Sequence, residues 1–455
     1  MNRTAILKSL NKQLSLTESS KVLIVGLGAT GFSVAKYLQQ LGIKFAIVDS
    51  RDKPPLNDAL LQDYPDTPVF TGGFDKAAFD VATHLVVSPG VSLQEEVIRK
   101  AIFSAAILVS DIDLFACSTM KPIVAITGSN GKSTVTTMLG EMAKASGIET
   151  AIGGNLGVPA LDLLDEKIEL YVIELSSFQL ERTSVLGAKV ATVLNVSADH
   201  LDRHADIESY AKEKQSIFSA NSVMVLNEDD VLVKAMEREG SEVLTFTLKG
   251  KNGFHIETQN EQEWLMNAQQ ALMRKSELPL EGLHNTANAL AALALGTAIG
   301  LNVKAMCNVL REFKGLNHRM QKVAKIKGVT WVNDSKATNI GACIAALKGY
   351  QHKVVLIAGG DAKGADMGEL ISIINNKARC VILMGKDADK IEQALNNSIP
   401  SYRAATVKEA VEIAAKLALE GESVLLSPAC ASIDQYKNYQ ERGDKFTAAV
   451  MSLAA

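Results

Sequence analysis

The strongest chemical signal in the sequence is the segment TGSNGKST at residues 127–134. It follows the apolar run 123–126 and precedes a segment with helical spacing, so we expect it to join a strand to a helix. In such a loop, backbone N–H groups surround phosphate oxygens, Lys132 lies beside the β and γ phosphates, and Ser133 faces Mg²⁺. Its first glycine, Gly128, comes two positions later than in GxxxxGK[ST], which argues against an ordinary P-loop NTPase.

A second glycine motif, GLGATG at residues 26–31, also follows an apolar run, and Asp49 closes the next run. This spacing is typical of a dinucleotide-binding turn, where glycines let the backbone approach a pyrophosphate at a helix start. The motif fits NAD bound by a dehydrogenase. It fits equally well any other ligand that carries a diphosphate, such as a UDP-sugar. The sequence has no recognisable His/Asp pair for hydride transfer.

Three further side chains are candidates for chemistry. Glu174 ends the apolar run 170–173, where an open α/β sheet places ligand-binding groups. His200 lies among charged residues, and Lys214 lies in a segment that fits a solvated helix face. The residues alone therefore leave metal binding open.

The elements that position these residues repeat one pattern three times: a β-branched run, a glycine-rich break and an Ala-rich or amphipathic segment. This alternation predicts an α/β fold with mostly parallel sheets. The 455 residues are about three times a typical domain of ~150 residues. We expect a Rossmann-like domain over residues 1–110, a P-loop ATPase-type α/β domain over 111–315 and a second Rossmann-like domain over 316–455.

Composition excludes several classes of protein. A net charge of −4 with 22% charged residues disfavours a nucleic-acid partner. The N-terminal residues have no signal-peptide pattern, so we expect a cytoplasmic protein, and a monomer. Residues 282–303 are uncharged, but their His and Asn side chains favour a buried helix over a membrane span. The five cysteines lack CxxC spacing, which favours reduced thiols over a zinc site or disulfides.

Taken together, these motifs resemble the Mur ligases, the ATP-dependent amide-forming enzymes of peptidoglycan precursor synthesis. The loop at 127–134, HNTANALAA at 284–292, NHR at 317–319 and NDSKATN at 333–339 occur in the family's order. Folylpolyglutamate synthases have a similar loop but lack a counterpart of the N-terminal residues 1–110. The GLGATG motif and SPACASIDQ at 427–435 resemble the members that add D-glutamate.

The resemblance implies ligation of D-glutamate to UDP-N-acetylmuramoyl-L-alanine. A carboxylate with a pKa of ~3.5 is ionised and resists amine attack, so it must first be activated. ATP would convert the carboxylate to an acyl phosphate, and two Mg²⁺ ions would serve as cofactor. The resemblance also implies a carbamate on Lys214. Because an acyl phosphate must be shielded from water until the amine arrives, we expect the C-terminal domain to close over the site.

The resemblance assigns residues to five roles. The implied catalytic residues are Lys132, Glu174, His200 and Lys214, and the implied metal ligands are Ser133, Glu174, His200 and Lys214. The implied ATP-binding residues are Gly128, Ser129, Asn130, Gly131, Lys132, Ser133, Thr134, Asn288, Arg319 and Asp334. The implied UDP-substrate residues are Gly28, Ala29, Thr30, Asp49, Ser50, Arg51, Gly90 and Asn155. The implied D-glutamate residues are Lys336, Thr338, Lys363, Ser432, Ile433 and Tyr439, the last of which is more often Phe in the family.

Overall fold

The computed structural model describes residues 2–197, 199, 203–204, 206–280, 282–362 and 367–453. Over this part of the chain the strands form three sheets, and helices separate most of the strands in sequence. This confirms the predicted α/β architecture. The chain forms two compact units: one consists of residues 1–196, 208–274 and 288–310, and the other of residues 197–207, 275–287 and 311–455.

The first sheet is fully parallel, with strand order β3-β2-β1-β4-β5. Its strands are β1 (Val22–Val25), β2 (Phe45–Asp49), β3 (Val69–Thr71), β4 (His84–Val87) and β5 (Ile107–Val109). Its helices are α1 (Arg3–Leu14), α2 (Ala29–Gln40), α3 (Asn57–Asp63), α4 (Lys76–Val81) and α5 (Glu96–Phe103). Strand order reverses between β1 and β4, and such a reversal leaves a ligand-binding crevice at the carboxyl ends of the strands.

The second sheet has the order β14-β13-β12-β11-β10-β9-β6-β8-β7. Its parallel strands are β6 (Ile123–Thr127), β7 (Thr150–Gly154), β8 (Leu170–Glu174), β9 (Val190–Val193), β10 (Val223–Asn227) and β11 (Val243–Phe246). Three more strands continue the sheet, with antiparallel pairing among them: β12 (Phe254–Gln259), β13 (Gln262–Asn267) and β14 (Gln270–Arg274). The central strands are buried along their whole length, as expected for a parallel sheet covered on both faces.

The middle of the chain also contains seven helices among the described residues. They are α6 (Asp111–Cys117), α7 (Lys132–Ala145), α8 (Ser177–Leu180), α9 (Ile207–Gln215), α10 (Val231–Lys234), α11 (Leu283–Ala298) and α12 (Val303–Glu312). Residues 289–295 of α11 are fully buried, which confirms the predicted core helix. No helix in the described residues is both long enough and apolar enough to cross a membrane.

The third sheet has the order β15-β16-β20-β17-β18-β19 and is parallel except for β15. Its strands are β15 (Gln321–Ile326), β16 (Val329–Asn333), β17 (Val354–Gly359), β18 (Ala378–Met384), β19 (Ser401–Arg403) and β20 (Ser423–Leu426). Its helices are α13 (Ile340–Lys348), α14 (Gly368–Lys377), α15 (Ala388–Leu395), α16 (Val407–Leu417) and α17 (Tyr439–Ser452). Apolar side chains form a separate core cluster on each face of this sheet.

All five cysteines are free and buried. Burial raises the pKa of the Cys117 thiol to about 11 and that of the Cys430 thiol to about 12. These two thiols are therefore protonated at neutral pH.

Candidate active site

The loop at residues 128–131 joins β6 to the start of α7 in the first unit. Gly131 has a φ of 86°, and a Cβ there would lie 2.4 Å from Oδ1 of Asn288, so only glycine fits. Asn195 clamps the loop: its Oδ1 accepts from the N–H of Asn130 at 2.8 Å, and its Nδ2 donates to the Asn130 carbonyl at 3.0 Å. This loop at the N-terminus of a 14-residue helix is suited to an anion, and residues 128–131 are here named the phosphate loop.

Two lysines converge on the loop. Nζ of Lys132 donates to the carbonyls of Gly128 (2.7 Å) and Ser129 (3.0 Å). Lys214, on α9, is almost fully buried; its Nζ donates to the same Gly128 carbonyl at 3.1 Å and lies 4.4 Å from the ring centroid of Tyr210. The segment's sequence fits a solvated helix face, whereas the structure places Lys214 at the phosphate loop.

Glu174 places a carboxylate near the start of the loop at 128–131, because β8 pairs with β6 and sets Glu174 opposite Ile126. Asn155 donates from Nδ2 to Oε1 of Glu174 at 2.8 Å. The other oxygen, Oε2, is buried and accepts no hydrogen bond within the described part of the chain. A buried carboxylate oxygen without a donor suits a hard cation, so Glu174 fits the expected Mg²⁺, with the Ser133 hydroxyl in the first turn of α7 as a second oxygen ligand.

The structure describes only some of the other expected metal ligands. His200 lies outside the described residues. Among the residues that are described, no group of three His, Cys, Asp or Glu side chains is arranged to hold a metal. Besides Glu174, the expected metal ligands are therefore the Ser133 hydroxyl, His200 and a carbamylated Lys214.

A cavity of about 530 Å³ lies in the first unit, at the strand-order reversal of the first sheet. All eight residues expected to contact the UDP substrate line it: Gly28, Ala29, Thr30, Asp49, Ser50, Arg51, Gly90 and Asn155. Residues that the sequence reasoning missed also line it, and they include Ser88, Val91, Pro159 and Gln179. Asn155 connects the cavity to Glu174 and so to the phosphate loop.

The glycine motif forms one wall of this cavity. At Gly31 a Cβ would lie 2.0 Å from the carbonyl oxygen of Gly26, so α2 can start this close to β1 only with glycine there. The N-terminus of α2 therefore presents backbone N–H groups to the cavity, and these groups favour a diphosphate.

Asp49 is saturated by internal donors. Its two oxygens accept from the N–H of Leu27 (2.7 Å), the N–H of Arg51 (2.9 Å), and Nε (2.8 Å) and Nη2 (2.6 Å) of Arg51. Burial alone would raise the pKa of Asp49, but these hydrogen bonds outweigh it and hold the pKa below its ordinary value. A dinucleotide site needs this acidic residue for a ribose hydroxyl, whereas here it orients Arg51.

In the second unit, Asp334 follows β16 and binds two neighbouring segments. It accepts from Oγ of Ser427 at 2.8 Å and from the N–H of Met320 at 3.2 Å, next to Arg319. Burial raises the pKa of Asp334 to about 7, although these hydrogen bonds and the charge of Arg319 oppose the shift. Two of the expected ATP residues, Arg319 and Asp334, are thus neighbours.

The five expected D-glutamate residues that the structure describes lie on loops at the carboxyl ends of β16 and β20 and at the start of α17. Nζ of Lys336 lies 4.0 Å from the ring centroid of Tyr439. Ser432 is buried, and Ile433 is exposed. Thr338 follows on the Lys336 loop, where its N–H donates to the Lys336 carbonyl at 2.8 Å. Lys363 lies outside the described residues.

Arg442, which sequence reasoning missed, joins the two loops. Its buried guanidinium donates to Oγ (3.0 Å) and the carbonyl (2.8 Å) of Ser335 and to the carbonyl of Cys430 (3.2 Å). Burial lowers the pKa of Arg442 to about 10, which leaves it charged at neutral pH. The only sequence signal was an arginine on the otherwise apolar face of α17.

Three family profiles match the chain in succession. They are the Mur ligase MurD-like N-terminal domain over residues 20–110, the Mur ligase middle domain over 126–296, and the Mur ligase glutamate ligase domain over 318–430. The chain is 51% identical to a UDP-N-acetylmuramoylalanine--D-glutamate ligase of Methylococcus capsulatus over 97% of both proteins. It is 46% identical to the protein of that name from Marinobacter nauticus, over 96% of this chain and 99% of the relative.

Solved structures give the same result at the level of the fold. A UDP-N-acetylmuramate-alanine ligase from Thermotoga maritima matches with a TM-score of 0.62 at 16% identity, over 95% of this chain and 100% of that one. A pseudomurein peptide ligase type C from Methanothermus fervidus matches with a TM-score of 0.62 at 19% identity, over 96% and 100%. The chain belongs to the Mur ligase family, a class of ATP-dependent ligases.

Proposed function

We propose that this protein joins the amino group of D-glutamate to the L-alanyl carboxylate of UDP-N-acetylmuramoyl-L-alanine, with cleavage of ATP to ADP and phosphate. The observation that carries the proposal is the cavity whose lining contains all eight expected UDP-substrate residues and connects through Asn155 to Glu174. The names of the relatives at 46–51% identity support the same substrates.

The reaction has two chemical steps. The L-alanyl carboxylate attacks the γ-phosphorus of ATP, which forms an acyl phosphate and releases ADP. The amine of D-glutamate then attacks the carbonyl carbon, loses a proton, and expels inorganic phosphate from the tetrahedral intermediate. The first step needs positioning and charge neutralisation more than covalent catalysis.

The chain's own residues supply that positioning. In the proposal, the N–H groups of the loop at 128–131 and of the first turn of α7 hold the phosphates. Lys132 exchanges its two carbonyl acceptors for phosphate oxygens. Ser133 and Glu174, together with His200 and a carbamate on Lys214, would hold Mg²⁺, which would supply neutralisation of charge on the transferred phosphoryl group. Asn288, Arg319 and Asp334 contact the rest of the nucleotide.

D-Glutamate carries two carboxylates and needs fixed donors and a cation. Lys336, Lys363 and the hydroxyls of Thr338 and Ser432 supply these in the proposal, together with the backbone of Ile433 and the ring of Tyr439. Residues 1–110 would then bind the UDP substrate, 111–315 ATP, and 316–455 D-glutamate. We further propose that the protein is a cytoplasmic monomer, and that nucleotide and UDP substrate together draw the C-terminal residues over the site.

The test is phosphate release from ATP with UDP-N-acetylmuramoyl-L-alanine and either D-glutamate, L-glutamate or no amino acid. We expect release that depends on both substrates and is selective for the D-enantiomer. The matched control is Lys132→Met, which should bind the UDP substrate normally and release phosphate at least about 100-fold more slowly. Release that does not depend on the UDP substrate would refute the proposal. Small-angle scattering without compaction by both ligands would refute the closure.

A further inference from the structure

A buried arginine lies behind the cavity of the first unit. Arg182 lies two residues after the end of α8, and its side chain is fully buried. Its Nη1 donates to the carbonyls of Ser88 at 2.7 Å and Val87 at 3.1 Å, and both terminal nitrogens lie 3.4 Å from the carbonyl of Val91. One guanidinium thus contacts the carbonyl of the last residue of β4 and two carbonyls of the loop that follows β4.

This loop is part of the cavity wall. Residues 88–91 all line the cavity, and the N–H of Val91 donates to the Ser88 carbonyl at 3.0 Å. Oγ of Ser88 donates to the carbonyl of Gly26 at 2.8 Å. A chain of hydrogen bonds therefore leads from Arg182 through Ser88 to the glycine turn that starts α2.

The charge of Arg182 is balanced locally. Nη2 donates to the Glu181 carboxylate at 3.1 Å, and the buried Asp111 attracts the same guanidinium. Asp111 also accepts a hydrogen bond from Gln179, another residue of the cavity wall. Burying a cation is costly, and an apolar side chain would fill the space at a lower cost in desolvation. What an apolar side chain could not supply is the set of hydrogen bonds that fixes the conformation of the loop at 88–91.

The position of Arg182 links two parts of the site. The segment 174–182 begins at Glu174, passes through the capping box of Ser176 and Gln179 at the start of α8, and ends at the arginine. The loop at 88–91 belongs to the first sheet, whereas Glu174 belongs to the second. The hydrogen bonds of Arg182 fix one relative to the other.

We propose that Arg182 is a positioning residue for the UDP substrate: it fixes the loop at 88–91 and the turn at Gly26 in the conformation that receives a nucleoside diphosphate. Arg182 does not touch the substrate in this account and acts through Ser88. The inference rests on the proposed function.

The test compares Arg182→Met and Arg182→Lys with the unmodified protein in steady-state kinetics. Loss of the loop hydrogen bonds should raise KM for UDP-N-acetylmuramoyl-L-alanine about tenfold or more in the Met variant, and less in the Lys variant, which keeps the charge. We expect kcat to change less than about threefold, and KM for ATP and for D-glutamate to stay constant.

A matched control is Arg379→Met in the second unit. Arg379 binds the Glu422 carboxylate at 2.6 and 2.9 Å and the Leu417 carbonyl at 2.6 Å, at the amino-terminal edge of the third sheet. This variant should lower the melting temperature and leave all three KM values unchanged. Equal increases in all three KM values for Arg182→Met would overturn the inference, since they would indicate a general loss of structure.

Ser88→Ala provides a second variant that leaves the buried charge in place. It removes the hydrogen bond to Gly26 and should weaken binding of the UDP substrate about threefold, as measured by titration calorimetry without ATP. An unchanged affinity in both Ser88→Ala and Arg182→Lys would overturn the inference. If the unmodified protein itself does not bind the UDP substrate, the proposed function fails, which is a separate result.

Discussion

Lys132 and Lys214 donate to the same carbonyl oxygen, that of Gly128, although they come from different helices. Two ammonium groups around one acceptor repel each other. A carbamate on Lys214 would replace one of the two positive charges by a negative one, which suits a metal site and relieves the repulsion. The buried position of Lys214 thus supports the modification that the family resemblance implies.

We predict that Lys214→Ala loses most of the activity and recovers part of it when short-chain carboxylic acids are added, because they replace the lost carboxylate. The matched control is Lys212→Ala, an exposed lysine on the same helix, which should retain full activity with no effect of the acids. The measurement is phosphate release with and without added acid. Full activity of the unmodified protein in CO₂-depleted buffer would contradict the prediction.

Asp334 makes stability depend on pH. Because burial raises its pKa to about 7, the folded protein binds more protons than the unfolded chain between about pH 4 and pH 7. The contribution of Asp334 to the free energy of unfolding therefore falls as the pH rises through this range, by at most about 1.4 kcal/mol per pH unit.

Asp334→Asn removes this titration. We predict that the free energy of unfolding of the variant, minus that of the unmodified protein, becomes more positive from pH 5 to pH 8. Urea denaturation at each pH measures it. A difference that stays constant with pH would show that Asp334 titrates normally.

At this scale the sequence predicts the residues that lie in motifs. The glycine turn and Asp49 follow from the spacing of the motif, whereas Gly90 and Asn155 came only from the family resemblance, and other residues of the cavity wall were missed. Asn195, Arg182 and Arg442 could not be predicted, since each acts on a segment remote in sequence. The saturation of Asp49 was also hidden, because it depends on the rotamer of Arg51.

At the scale of elements, the turn from β6 into α7 depends on Gly131. We predict that Gly131→Ala costs about 1–2 kcal/mol for the left-handed backbone and, in addition, displaces Asn288 and weakens ATP binding. The matched control is Gly147→Ala, after the end of α7. Gly147 has nearly the same φ, 82°, but a Cβ there meets no atom within 4 Å.

Thermal unfolding and calorimetry with an ATP analogue measure the two effects. Both variants should lose similar stability from the backbone, and only Gly131→Ala should also lose affinity for the nucleotide. Equal affinities in the two variants would contradict the role assigned to the contact with Asn288.

The parallel strands were predictable because their β-branched runs are buried on both faces, as in β6 and β17. The three strands β12 to β14 were not predicted. They mix charged and apolar residues and have exposed positions, so their sequences lack a continuous apolar run. Their pairing is fixed by neighbours along the sheet and by tight turns.

At the scale of the whole molecule, the expected ligand residues are divided between the two compact units. The UDP-substrate residues and the phosphate loop belong to the first unit, and the described D-glutamate residues belong to the second. The first unit contains two of the three sheets and the second unit contains the third, and each sheet corresponds to one of the three α/β blocks predicted from the sequence. The composition of the units could not be predicted, since each combines separate stretches of the chain.

We predict that UDP-N-acetylmuramoyl-L-alanine alone slows amide hydrogen exchange in peptides that contain residues 26–31, 49–51 and 88–91, because these line its cavity. Peptides from residues 423–452 should exchange as in the free protein. Hydrogen exchange with mass spectrometry measures both sets. Protection confined to residues 316–455 would contradict the assignment of the substrate to the first unit.

The burial of all five cysteines makes the protein suitable for site-specific fluorescent labelling. Maleimides react with exposed thiolates, and the native thiols are all buried. A cysteine introduced by Met120→Cys, at a fully exposed position of the first unit, would therefore be the main site of labelling, and Leu419→Cys offers an exposed partner in the second. Energy transfer between dyes at these positions would follow the two units through a catalytic cycle without removal of any native cysteine.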